Sequence, residues 1–309
     1  MRGAERFGGR RTRVWVALCW AGLGSCAAQQ APTANPARPT VTNPATLPPV
    51  GYLQFEQGYL GSLDSPATAS QYGVNFVAKA AVHPRVMLEL QTQPFAESRE
   101  VGEDSSSGAS GDVLVGAQAV LYLHPSAPAE TAKTPTASPH HAIPRPTVSL
   151  AYLGRVHAGT TPDVDQGGYA NGVLLLVSGD LGKFHYDSNY LFNEQTATES
   201  SPVRQAEVTL RRAQFAQTLS VNHPLWNANL QLALELYHFT QPMVHATAGG
   251  EPVARANAVD GLLALSYSLR PNLVLDGGFS HGFTSTSTRW QSFAGFTYLL
   301  PHRLWPGRS

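Results

Sequence analysis

The chain has 309 residues, and its 21 Lys plus Arg balance 21 Asp plus Glu. Neutrality removes the basic patch that a nucleic-acid partner requires. Only 14% of residues are charged, against about 25% in soluble domains, and no long apolar segment accompanies that deficit, which fits a protein whose outside is not all water.

The N-terminus reads as an export signal over residues 1–28. Arg2, Arg6, Arg10, Arg11 and Arg13 form a basic region, Val14–Leu23 a short apolar one, and Ser25-Cys26-Ala27-Ala28 supplies small residues for cleavage. The apolar core is too short to span a bilayer. Cleavage beside Ala27 or Ala28 competes with a lipobox reading of Leu23-Gly24-Ser25-Cys26, in which Cys26 becomes a lipidated terminus. Cys19 and Cys26 are the two cysteines of the chain, so its body carries neither a disulfide framework nor a thiolate metal site. Residues 29–50 are a tract of Pro, Ala, Thr and Asn with no apolar periodicity, expected to be a disordered leader.

From Gly51 onward, large apolar side chains alternate with small or polar ones, the period of a strand. Leu53, Phe55 and Tyr59 oppose Gln54, Glu56 and Gly58. Tyr72–Val82 follows, then Val86, Leu88 and Leu90 against Glu89 and Gln91. Val113–Leu123 and Val148–Val156 flank a Pro-rich insert, Pro125–Pro146. Val173–Val177 is apolar on both faces. Phe184, Tyr186, Tyr190 and Phe192 oppose His185, Asp187, Asn189 and Asn193. Gln205–Asn222 precedes Leu230, Leu232, Leu234 and Leu236, which oppose Asn229, Gln231, Glu235 and Tyr237. Ala258–Leu269 and Leu273–Phe283 form a hairpin across Arg270-Pro271-Asn272, and Trp290–Leu300 closes the pattern.

These twelve runs are close to the length a tilted strand needs to cross a membrane. Tight turns, most of them X-Pro, join the even runs to the odd. Ser, Thr, Gly, Asp and Glu fill the longer loops Ala96–Gly111, Thr196–Arg204 and Thr240–Asn257 at the other end. The expected fold is therefore all-β: a transmembrane antiparallel up-and-down β-barrel of about 12 strands over residues 51–300, with both termini periplasmic and a C-terminal extension over 301–309. It would sit in the outer membrane of a Gram-negative (diderm) bacterium. Outer-membrane lipid, a small-molecule solute, and the barrel-assembly and export machinery would be its partners, with no nucleic acid among them. A secreted lipocalin-like soluble barrel also alternates, but its outward face would carry Lys, Glu and Asp.

The titratable residues on the polar parity are Glu56, Lys79, Glu89, Asp112, Arg155, Asp187, Arg212, Glu235, Asp260 and Asp276. They are candidates to line a lumen. There they either bias selectivity through their acidic excess or pair across the bore and satisfy one another. Tyr52, Tyr72, Tyr122, Tyr169, Phe184, Trp226, Phe239, Phe283, Trp290 and Tyr298 lie near run ends, as interfacial girdles do. His83, His124 and His223 precede prolines at turns, and no metal-ligand spacing recurs. Ser280-His281 invites a hydrolase reading, but His281 shares parity with Phe279 and Phe283 and should face lipid. No catalytic residue, metal or cofactor is assigned, and the chain is not read as an enzyme.

Several stretches resemble one family. Gly111-Asp-Val-Leu-Val-Gly-Ala-Gln118, Leu181-Gly-Lys-Phe-His-Tyr-Asp-Ser-Asn-Tyr190, Leu265–Phe279 continuing through Ser280-His-Gly-Phe283, and Ala294-Gly-Phe-Thr-Tyr298 are similar to the bacterial outer-membrane transporter barrels of the meta-pathway phenol degradation type. The resemblance implies a channel or passive transporter for small, often aromatic or hydrophobic, solutes. The alternative is a structural or binding barrel without an open pore. Such barrels usually end on an aromatic residue of the last strand, whereas Pro301–Ser309 extends beyond it here.

Overall fold

The computed structural model describes residues 32–65, 68–123, 146–157, 159, 169–201, 206–242 and 255–305, with side chains for all of these except 169–170, 195–201, 206–212, 241–242 and 255–256. The expected export signal, residues 1–28, and all of the Pro-rich insert but Pro146 lie outside the described residues.

The described elements are all strands: β1 Leu53–Leu63, β2 Thr68–His83, β3 Val86–Glu100, β4 Ser107–Ala109, β5 Val113–Tyr122, β6 Thr147–His157, β7 Tyr169–Leu181, β8 Phe184–Ser201, β9 Ala206–Pro224, β10 Leu230–Pro242, β11 Arg255–Arg270, β12 Leu273–Gly282 and β13 Trp290–Leu299. Each barrel strand is antiparallel to its sequence neighbour, and the ring shuts where β1 pairs with β13 while β2 pairs with both β1 and β3. The three-residue β4 pairs only with the end of β3, so twelve strands close the barrel. Closure satisfies every strand edge, which a bilayer demands.

The two parities separate as alternation predicts. Leu88, Leu234, Leu236, Leu265, Leu275, Phe279 and Phe215 are exposed on the outer wall. Gln54, Asn193, Gln214, Ser149, Ser220 and Thr297 are wholly buried on the inner one. Such an inside-out distribution is stable only where the outside meets lipid. This is an outer-membrane barrel.

The expected loops are shorter than read. β8 and β9 stay paired from His185 opposite Asn222 up to Ser201 opposite Ala206, so Thr196–Arg204 is mostly hairpin rather than loop. β3 runs to Glu100, and β4 folds back on it. Phe239, expected in an aromatic girdle, instead points inward at 2% exposure, edge-on to Tyr237. The outer rims do carry rings: Phe184 against His223 at the tight-turn end, and Trp290 against Phe279 and His281 at the loop end.

The bore is also less polar than alternation suggests. Leu153, Leu174 and Leu176 form one inward apolar cluster, and Tyr237, Phe239, Leu262 and Ala264 form another, with Leu191 and Phe293 packed against it. Val173–Val177 therefore reads as apolar on both faces because one face meets lipid and the other lines this interior.

The largest departure concerns the leader. Its described part, residues 32–50, is not a free tail. It enters the barrel at the tight-turn end, where the Ala34 N–H donates to the Pro271 carbonyl, and it returns to the same end, where the Gly51 N–H donates to Ala81. Asn35 and Thr46 are tied to each other across the mouth by the Asn35 side-chain amide. Between them the chain is buried or half-buried, with Thr42 and Ala45 0% exposed. The C-terminal extension closes over the junction, with the Leu304 N–H bonded to the Gly51 carbonyl. Gly51 has φ +91°, and a Cβ there would meet the Trp305 carbonyl at 2.6 Å, so only glycine fits.

Candidate functional site: the occupied lumen

A segment without strand partners must still satisfy its backbone when buried. Residues 32–50 do this by composition. Six of the nineteen are proline and bring no N–H. The barrel wall supplies partners for several of the others. The Asn35 N–H donates to Gln54 Oε1 while Gln54 Nε2 donates to the Asn35 carbonyl, at 2.8 and 2.7 Å. Asn189 repeats the arrangement with Asn43 at 2.6 and 2.8 Å. Each carboxamide thus replaces the peptide group of a missing neighbouring strand. Ser178 Oγ accepts the Ala45 N–H at 2.6 Å, and the Ala45 carbonyl receives Ser149 Oγ and Gln118 Nε2.

The acidic candidates divide by partner. Glu235 of β10 is 6% exposed and accepts the Val41 and Thr42 N–H groups at 2.8 Å each, and the Thr42 hydroxyl at 2.5 Å. Glu56 accepts the Ala37 N–H at 3.2 Å and is paired with buried Lys79 at 2.7 Å. Asp276 holds the Arg38 guanidinium. Asp187 receives Ser178 Oγ at 2.5 Å and lies 3.3 Å from His185 Nε2. Glu89 accepts from Gln91 at 2.5 Å and lines a small gap left beside the segment, together with Lys79, Asn43 and Gln118.

Nearer the loop end, Asp112 faces Arg155 at 3.4 Å and accepts the Gly159 N–H, and Asp260, 1% exposed, receives Ser287 Oγ. The Arg212 side chain lies outside the described ones. Six of the ten candidates therefore gather around the inserted segment: Glu56, Lys79, Glu89, Asp187, Glu235 and Asp276. His281 packs between the rings of Trp290 and Phe283 on the outer wall, away from the bore.

Residues 32–50 were missed as part of the site. Two signals were present, the density of proline and the single charged side chain, Arg38, but neither specifies a partner.

A closed ring of twelve antiparallel strands, apolar outside and lined by hydrogen-bonding groups within, defines the class of outer-membrane β-barrels. The chain belongs to the family described as "Putative MetA-pathway of phenol degradation", whose pattern matches residues 37–300 and so includes most of the inserted segment. Among solved structures, an outer membrane channel from Pseudomonas putida F1 is 12% identical, covers 86% of this chain and 100% of its own, and superposes with a TM-score of 0.54. The NanC porin is 9% identical, with coverages of 79% and 98% and a TM-score of 0.49. No curated protein matches.

Proposed function

We propose that the protein is a narrow outer-membrane channel, closed in this state by its own N-terminal segment, for small solutes with an apolar or aromatic part. The observation that carries this reading is the mixed lining of the bore. Leu153, Leu174, Leu176, Tyr237, Phe239 and Leu262 face inward among the polar groups. Ala45 and Val41 of the inserted segment pack into these clusters, and once the segment leaves, the same apolar surface is open to a passing solute. The family's description agrees with such a solute class. The tight-turn end is taken as periplasmic, with both termini there, as in barrels whose short turns face that side. Export and barrel-assembly machinery would deliver the chain.

A second reading, a binding or structural barrel that never opens, draws on the number of hydrogen bonds holding the segment. Planar-bilayer recordings separate the two. The full chain should show small, infrequent openings. A chain lacking residues 32–46 should show a several-fold larger unit conductance that a small aromatic solute partly blocks. Silence from a folded deletion chain would establish the second reading instead.

A further inference from the structure

We propose that Gly58, Gly295 and Asp276 form a guanidinium-binding socket on the lumen wall, occupied here by Arg38, and that emptying it frees the N-terminal segment. The three residues form a row across three strands. Gly58 of β1 lies opposite Gly295 of β13, and Gly295 lies opposite Asp276 of β12. The two glycines leave bare backbone as a flat floor, and the guanidinium rests on it. A Cβ on Gly58 would come within 2.3 Å of Arg38 Nη2 and 2.4 Å of Cζ, and one on Gly295 within 2.8 Å of Nη2. Asp276 closes the site from the side. Arg38 Nε lies 3.2 and 3.3 Å from its two carboxylate oxygens.

Nη2 shows why the site selects shape as well as charge. It is 3.1 Å from Asp276 Oδ1, yet it is buried with no aligned hydrogen-bond acceptor. That nitrogen is held by the carboxylate's charge and by its fit to the glycine floor. A planar, weakly hydrated cation suits such a surface, whereas a compact ammonium would leave the floor empty and lose more hydration.

The socket is one of three charged anchors of the segment, beside Glu235 and Glu56, and differs from the neutral ones. Gln54, Asn189, Ser178 and Ser149 offer neutral hydrogen bonds that water can replace at modest net cost. Removing the guanidinium while the segment stays in place leaves the Asp276 carboxylate, 1% exposed beneath it, without a counter-charge, and an uncompensated buried charge is strongly unfavourable. Lys79 cannot relieve it, because its ammonium is committed to Glu56 at 2.7 Å. Arg38 is the one charged side chain in residues 32–50, so the socket is the anchor in which the segment itself supplies the charge.

The proposal rests on the channel reading only in its consequence for conduction, and its test does not need conduction. A Thr40→Cys reporter is placed in the full chain with Cys19→Ser and Cys26→Ser, refolded in detergent. Its labelling by a bulky maleimide then reports release of the segment. Arg38→Ala should raise the labelling rate roughly a hundredfold or more, the low end for loss of a buried ion pair. Millimolar guanidinium chloride should restore protection in that variant, while sodium chloride or methylammonium chloride at equal ionic strength should not. Arg38→Lys should protect only in part. Gly295→Ala, with folding checked by heat-modifiable migration, should expose the reporter even though Arg38 is intact, and guanidinium should not correct it. Wild-type labelling in Arg38→Ala, or equal rescue by sodium, overturns the socket. Labelling that responds as expected in chains that never conduct leaves the socket standing and removes the channel.

Discussion

Glu235 illustrates how the bore uses its acids. Its two oxygens take three hydrogen bonds from Val41 and Thr42, so its charge is spent on the backbone of the segment rather than on a passing solute. Asp276 is likewise engaged by Arg38. The acidic excess expected to bias a pore is thus mostly committed, and Glu89 beside the remaining space is the acid placed to act on an ion. Glu235→Gln keeps an acceptor but loses charge assistance, worth about 1–1.5 kcal/mol as the excess of a charged over a neutral hydrogen bond. The reporter at position 40 should therefore label roughly five- to tenfold faster in that variant, by the same free energy. Glu89→Gln should leave labelling unchanged and lower cation preference in reversal-potential measurements. A Glu235→Gln chain as protected as wild type would show that this carboxylate does not hold the segment.

Single strands carry the distinction between lipid and lumen. In β10, Leu234 and Leu236 are exposed at 52% and 56%, while Ala233, Glu235, Tyr237 and Phe239 between them are buried. The two faces exchange at every residue because strand side chains alternate. Leu236 is the central residue of β10 (Leu230–Pro242), so Leu236→Lys should cost about 2–4 kcal/mol of barrel stability in lipid, read as a lower urea midpoint for unfolding from vesicles. An unchanged midpoint would mean that this face does not meet hydrocarbon. The far arm of β8 escaped notice for a physical reason. Thr196–Ser201 holds only Thr, Ala, Glu and Ser, and backbone pairing without a greasy parity leaves no period to read.

At the scale of the molecule, both ends of the inserted segment leave by the tight-turn end, and the long connections other than the Pro-rich insert lie at the other. If the tight-turn end is periplasmic, a cysteine at Ser106 should react with an impermeant thiol reagent on intact cells. One at Ser138, in the Pro-rich insert between β5 and β6, should react only after the outer membrane is permeabilised. Equal labelling of both on intact cells would refute that orientation.

The sequence by itself determined the wall. Period-two alternation, a charge deficit and turns of unequal character specify twelve strands, their neighbours and the face each turns to lipid, because all of these are local and repeat along the chain. The tertiary structure alone decided what fills the bore. Arg38 and Asp276 lie 238 residues apart, and Thr42 and Glu235 lie 193 apart. Only closure of the ring brings Gln54, Asn189, Ser178 and Glu235 around one axis. A Pro- and Thr-rich segment has no periodicity of its own with which to announce that they will be there. Its order comes from partners that exist only once the barrel has closed.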